Sequence, residues 1–203
     1  REQIIDAALD VFSRKGYEGA TTKDIADAAG VKSPGLIYHY FKDKEHLFQQ
    51  VIERNAPILA VIREPESFLA LPPREALLRV AVAFLAVLNN RTTMPMVRLL
   101  LSEAVRRPKL AEVFNSLGPR RLFALVSTYL ERQMAAGTLR RMDVGAAVRC
   151  FMGPLIIYIL THEVFPQPDT ATLDPQRMAE TAVEIFLRGM EPAAVAPRAE
   201  SGD

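Results

Sequence analysis

Apolar side chains in this 203-residue chain recur three and four positions apart almost without interruption, as in Ile5, Ala8, Leu9 and Phe12 and again in Leu77, Val80, Ala81, Phe84, Leu85 and Leu88. On a helix of 3.6 residues per turn that spacing gathers them into one stripe facing a core. A strand would instead need alternation with period two, and no convincing run of it occurs. Apolar residues make up 49% of the chain, enough for a substantial core and too many for an intrinsically disordered polymer. The expected fold class is all-α, with breaks set by glycine, proline and capping residues.

Several function classes fall away on simple grounds. Cys150 is the single cysteine, so neither an intramolecular disulfide nor a cysteine-based metal cage can form, which fits a reducing, cytoplasmic setting. It opens an apolar run of about twelve residues, short of the roughly 20 that span a bilayer, and a buried core helix is expected there. The chain starts at Arg1 with no signal peptide, and a few leading residues are expected to be missing. His46 and His162 lack partners at ligand spacing, so no metal is expected. No phosphate loop, dinucleotide fingerprint or nucleophile elbow occurs, and neither a cofactor nor catalysis is expected.

The first 55 residues are sharply punctuated. A first helix from about 2 to 15 stops at Gly16, which tolerates positive φ. Thr21, with Asp24 three residues on, reads as the cap of a two-turn helix ending at Gly30. A third short helix begins near Ser33 or Pro34 and carries Leu36, Ile37 and Tyr38. Asp43 caps a fourth. Longer helices follow near 43–63, 74–90, 94–106, 109–117, 119–137, 143–165 and 174–190, then a disordered tail over 191–203. The expected domains are 1–46, 47–190 and that tail.

Residues 21–44 are the informative unit. Two short helices docked steeply need small side chains at the crossing, and Ala26, Ala29 and Gly30 supply them. The second helix of such a pair can lie in the major groove of DNA. Lys32, Ser33, Pro34, Gly35, Tyr38, His39 and Tyr40 are candidates for that surface, while Phe41 reads as core. Thr21, Thr22, Lys23 and Lys44 are placed for phosphates flanking the groove.

In order, the chain shows Gly16-Tyr17, Thr21-Thr22, Ile25-Ala26, Ala29-Gly30-Val31, Tyr38-His39-Tyr40-Phe41 and Lys44-Glu45-His46-Leu47. This array resembles the DNA-binding domain of the TetR (tetracycline repressor) family of bacterial transcriptional regulators. The segment 31–37 is one residue longer than the family pattern, which leaves the phase of the recognition helix open. The resemblance implies that Tyr38 and Lys44 touch phosphates, and Ser33, Pro34, Gly35 or His39 would touch bases. It also implies an N-terminal three-helix DNA-binding domain and a C-terminal bundle that binds a small-molecule effector and forms a homodimer. Phe84, Met96, Phe123, Tyr158 and His162 are effector candidates. Ala146, Phe151, Leu155, Ile159, Met178, Ala182, Ile185 and Phe186 are dimer candidates on the last two helices. The expected partners are therefore operator DNA, a second copy and an effector, with no membrane.

Two other readings stay open: a hydrophobic-ligand binder with a vestigial helix-turn-helix, and a DNA-binding protein that needs no ligand. The net charge of +1 hides unequal parts, for residues 57–142 carry 13 basic and 6 acidic side chains. Much of this excess lies in the pairs Arg106-Arg107, Arg120-Arg121 and Arg140-Arg141; solvated helix ends account for them most simply, and an anionic effector such as an acyl-coenzyme A is the alternative.

Overall fold

The computed structural model describes residues 1–31, 33–55, 58–89, 94, 112, 115–116, 118–168 and 172–192, with backbone alone at 55, 59, 60 and 89. Lys32, Met96, all but Met94 of the helix expected over 94–106, Arg106-Arg107, most of 109–117 and nearly all of the 191–203 tail lie outside the described residues. Among those described, every regular element is helical.

Helix α1 (Glu2–Gly19) is bent at Gly16, where φ is 74° and ψ 172°. Only glycine reaches that conformation cheaply, so the expected stop becomes a kink after which the last turn resumes. Helices α2 (Thr22–Ala28), α3 (Gly35–Tyr40) and α4 (Lys44–Asn55) follow. They close over a first core of Ile4, Leu9, Phe12, Ile25, Ile37, Phe41, Leu47, Phe48 and Val51, among others. Phe12, Tyr17 and Phe48 pack ring to ring at 4.9 to 5.8 Å. Arg54 of α4 returns to α1, pairing with Glu2 (2.5 Å) and Asp6 (3.5 Å).

The helix expected over 43–63 is two helices, α4 and α5 (Ile58–Arg63). Pro57, with no amide hydrogen for a helical bond, lies in the sequence between them. Helix α6 (Pro65–Leu69) was not foreseen; Pro65 sits in its first turn, where the lost N–H costs nothing. Helix α7 (Pro73–Leu85) runs into a 3₁₀ turn at Ala86–Asn89. Helices α8 (Pro119–Ala135), α9 (Val144–Glu163) and α10 (Pro175–Gly189) complete the described bundle.

Asp143 and Asp174 cap α9 and α10 through the amides of Ala146 (2.7 Å) and Arg177 (3.0 Å). The second core begins at Val61 and gathers α7, α8, α9 and α10 around Leu77, Val80, Tyr129, Phe151, Leu155 and Val183. Tyr129 is fully buried and donates its hydroxyl proton to the Leu71 carbonyl at 2.8 Å. Burial pushes that phenol up to about 12.

Helix α9 departs from expectation. Its 20 residues are long and apolar enough to cross a bilayer by length and composition, although Arg149 lies within it. One face enters the second core through Phe151, Leu155 and Tyr158. The other leaves Ala146, Cys150, Pro154, Ile156 and Ile157 exposed. It is a half-buried helix rather than a buried one.

Candidate nucleic-acid interface

Helix α2 has seven residues, too few to persist alone, so its start must be held by side chains. Thr21 and Asp24 do this reciprocally. The Asp24 amide donates to Thr21 Oγ1 at 3.1 Å, and the Thr21 amide donates to Asp24 Oδ2 at 3.0 Å. Thr21 Oγ1 also donates to Asp24 Oδ2, and Lys15 of α1 adds an ion pair, both at 2.7 Å. The Lys15 ammonium, then the Thr21 bonds, hold the Asp24 carboxyl down at about 2.

The turn between α2 and α3 depends on Gly30, whose φ is 64°. That positive φ lets the Val31 amide reach back to the Ala26 carbonyl at 3.0 Å. Ser33 and Pro34 lie before the first helical residue of α3, and Ser33 Oγ accepts the Gly35 amide at 3.1 Å.

The recognition-helix phase left open by the longer turn has a definite form here. Ile37 and Phe41 point into the first core, each 1% exposed. Ser33, Pro34, Gly35, Leu36, Tyr38, His39 and Tyr40 point out. Tyr38 is 55% exposed and its hydroxyl lies 3.5 Å from Thr22 Oγ1, so α2 and α3 present one continuous polar edge. His39 and Tyr40 meet edge to face at 5.0 Å, and Lys23 and Lys42 stand exposed nearby. Leu36, at 40% exposure, belongs to this surface although sequence reasoning passed over it. Its apolar character reads as core until the positions of Ile37 and Phe41 fix the helix phase.

Lys44 is placed differently from its neighbours. It is half-buried, and its ammonium donates to the Tyr17 carbonyl (2.8 Å) and the Ala20 carbonyl (3.2 Å). Asp43 Oδ1 accepts the His46 amide at 2.7 Å, and His46 Nδ1 accepts the Lys42 amide at 3.1 Å, so this imidazole has a capping role.

In the bundle, the candidates divide. Tyr158 and His162 meet at 4.4 Å, but the Tyr158 hydroxyl is already given to the Leu173 carbonyl. Burial, then Asp174, raises its phenol. Phe84 and Phe123 are half-buried at the edge of the second core. Of the dimer candidates, Phe151, Leu155 and Ile159 turn inward and serve this chain's own core, because a helix apolar on both faces gives no periodic signal of which face is inner. Ala182 and Phe186 are buried, Met178 is half-buried, and Ala146 and Ile185 are exposed, Ile185 by 68%. A groove of about 320 Å³ runs between α9 and α10, lined by Ala147, Cys150, Pro154, Met178, Thr181 and Ile185 among others. It opens outward, away from the bundle interior expected to hold an effector.

Comparison with known proteins agrees with this architecture. Residues 4–51 match the family described as "Bacterial regulatory proteins, tetR family", and residues 75–189 match "AefR-like transcriptional repressor, C-terminal domain". The repressor AcnR of Corynebacterium glutamicum is 40% identical over 62 residues, 30% of this chain and 32% of AcnR, so the match spans about a third of that relative's length. A TetR-family regulator from Mesorhizobium loti superimposes with a TM-score of 0.70 at 27% identity, covering 94% of this chain and 96% of that one. FadR of Bacillus subtilis, solved with stearoyl-CoA, shares the fold at a TM-score of 0.73 and 21% identity, covering 94% and 99%. With its helix-turn-helix and the greater part of its bundle each matched, the chain belongs to the TetR family of bacterial transcriptional regulators.

Proposed function

We propose that the protein is a dimeric repressor that inserts α3 into the major groove of a palindromic operator and is released by a small hydrophobic or amphipathic effector. The observation that carries this is the outward face of α3. Ile37 and Phe41 anchor the helix while Leu36, Tyr38, His39 and Tyr40 remain exposed beside Thr22, a side-chain set suited to hydroxyl, imidazole and apolar contacts in a groove. In this reading Ser33, Gly35, Leu36 and His39 approach base edges, and Thr22, Lys23 and Tyr38 approach phosphates. Leu36 offers an apolar contact of the kind that suits a thymine methyl.

One short helix reads only a few base pairs, so two copies are needed to specify an operator. The exposed apolar faces of α9 and α10, with Ala146, Cys150, Ile157 and Ile185, are the surface for that pairing. Effector binding shifts the equilibrium between two spacings of the recognition helices, and it can do so only through a difference in its affinity for them. An acyl-coenzyme A is the amphipathic effector to try first. The basic excess over residues 57–142 suits its anionic head, and FadR, a relative in fold, was crystallised with stearoyl-CoA. Against it, Arg120, Arg121, Arg140 and Arg141 are all exposed, as solvated helix ends would be.

The test is selection of duplexes from a random-sequence library by the full chain, followed by titration of the selected complex with palmitoyl-CoA and with palmitate. A palindromic consensus bound by two copies supports the reading. Failure to enrich any sequence overturns it.

A further inference from the structure

Two reciprocal caps flank α3, and they are built from different chemistry. At the start of α2, Thr21 Oγ1 accepts the Asp24 amide while the Asp24 carboxylate accepts the Thr21 amide. At the start of α4 the device is altered. Asp43 Oδ1 accepts the His46 amide at 2.7 Å, and the His46 ring reaches one residue beyond Asp43, where its Nδ1 accepts the Lys42 amide at 3.1 Å. A glutamate or glutamine ordinarily returns the second bond of such a box. Here an imidazole does so.

That bond fixes the protonation state of the ring. A backbone amide can only donate, so Nδ1 must present its lone pair, and the proton of the neutral ring lies on Nε2. A second proton would go to Nδ1 and set two donors face to face. The cap of α2 has no such weakness near neutrality, because the Asp24 carboxyl is held down at about 2. Histidine is the side chain whose charge ordinarily changes between about pH 5 and 8.

The bonded amide lies where the seating of α3 is decided. Lys42 follows Phe41, which is buried in the first core and whose amide closes α3 on the Ile37 carbonyl at 2.9 Å. The His46 ring also packs against Phe41, with centroids 6.0 Å apart. The charged groups around this junction are mixed. Lys42 and Asp43 lie in the turn and Glu45 beside His46 on α4, while the Lys44 ammonium donates to the Tyr17 and Ala20 carbonyls. From α3, His39 meets Tyr40, which tilts against Phe41. From the start of α1, Arg1 lies 5.9 Å from the Phe41 centroid and donates to Gln50, one turn beyond His46. Asp43 is the acid bonded to this residue, and turning a protonated ring toward it abandons the Lys42 amide.

We propose that His46 is a proton-sensitive positioning residue: neutral, it holds the turn between α3 and α4 through the Lys42 amide and keeps α3 seated for DNA, and protonated it releases that turn, so that acid weakens operator binding. This rests on the reading of α3 as the DNA-reading helix. The sign is opposite to that of charge alone, since a cation added near phosphates strengthens binding. One hydrogen bond of this kind is worth about two- to twelvefold, and two copies on a palindrome multiply the effect.

The test uses the full chain and a duplex selected by the wild type, with affinity measured by fluorescence anisotropy from about pH 8 to about pH 5.5 at constant ionic strength. Asparagine carries a carbonyl oxygen where histidine carries Nδ1, so His46→Asn should match the wild type within about twofold at the alkaline end and keep its cap in acid. Across the range the wild type should lose about fivefold or more in affinity relative to His46→Asn. His39 and His162 are present in both proteins, so their titration cancels in the ratio. His46→Leu, which has no acceptor, should bind weakly throughout, and the wild type should approach it in acid. In the free wild type at the alkaline end, long-range proton–nitrogen correlation should find the ring proton of His46 on Nε2. The proposal is overturned if the ratio of wild type to His46→Asn stays constant, or if the wild type tightens relative to that variant as pH falls. It is equally overturned if the ring proton lies on Nδ1, a result that remains readable even if a variant fails to fold. If the wild type selects no duplex, the DNA-binding reading falls and this role falls with it, whereas a constant ratio on a selected duplex removes only the role of His46.

Discussion

Replacing Thr21 with alanine probes the step from local sequence to reading head. The substitution removes the acceptor of the Asp24 amide (3.1 Å) and the hydroxyl donor to the Asp24 carboxylate (2.7 Å), and leaves the bond from the Thr21 amide to that carboxylate (3.0 Å). Loss of a threonine cap costs about 1 kcal/mol, within a range of roughly 0.5 to 2. For a seven-residue helix this decides whether the first turn stays formed, because nucleation is the unfavourable step. In a chain of this size about 1 kcal/mol lowers Tm by roughly 2 to 4 °C. Thr21→Ser keeps the oxygen in place and should stay within about 0.5 kcal/mol of the wild type. Because Asp24 needs Thr21 to complete the reciprocal pair, Thr21→Ala and Asp24→Ala should be non-additive. Urea denaturation followed by circular dichroism measures the wild type, the three single variants and the Thr21→Ala/Asp24→Ala double variant. The reasoning is refuted if Thr21→Ala matches the wild type within about 0.3 kcal/mol, or if Thr21→Ser is as destabilised as Thr21→Ala.

Tyr129→Phe removes one buried hydroxyl and leaves the Leu71 carbonyl unpaired, so a loss of about 1 to 3 kcal/mol is expected in the same denaturation assay. The Asp24 carboxyl is depressed from 3.8 to about 2, so its contribution is complete above about pH 4 and is lost as pH falls through 2. The Tm difference between wild type and Asp24→Asn should therefore be constant from neutral pH down to about 4 and vanish toward pH 2. Ile185→Asp places a charge on the exposed face of α10. If that face is isologous and each isoleucine contributes about 1.5 kcal/mol, two copies lose about 3 kcal/mol, a weakening of dimerisation by roughly a hundredfold. Sedimentation equilibrium reads this directly, and an unchanged dissociation constant would place the interface elsewhere.

Features that depend on near neighbours in sequence were legible in advance. The all-helical class, the break at Gly16, the Thr21–Asp24 pair, the turn at Gly30 and the caps at Asp43, Asp143 and Asp174 all follow from backbone geometry or from bonds spanning three residues. What could not be read depends on packing between distant segments. Leu36 is indistinguishable from a core leucine until Ile37 and Phe41 are seen to occupy the inner face of α3. Lys44 reads as a free cation until α1 bends and brings two carbonyls to it across 24 and 27 positions of sequence. Helix α9 is apolar on both faces, so no periodicity indicated that Phe151 and Leu155 turn inward while Ile157 turns out. Helix α6 is a single short element enclosed by prolines, with too few residues to show a period.

The central claim is that two copies of α3 read DNA together. Hydroxyl-radical footprinting on a duplex selected by the full chain tests it most directly. The expected pattern has two protected patches related by a two-fold axis and centred one helical turn, roughly 34 to 36 Å, or a multiple of it apart. Protection at all sites should weaken in Tyr38→Ala, whereas Leu36→Ala should keep the two-patch geometry and lose preference between the selected duplex and base-substituted versions of it. A single uninterrupted or asymmetric patch, or protection indifferent to substitutions along α3, would contradict the account.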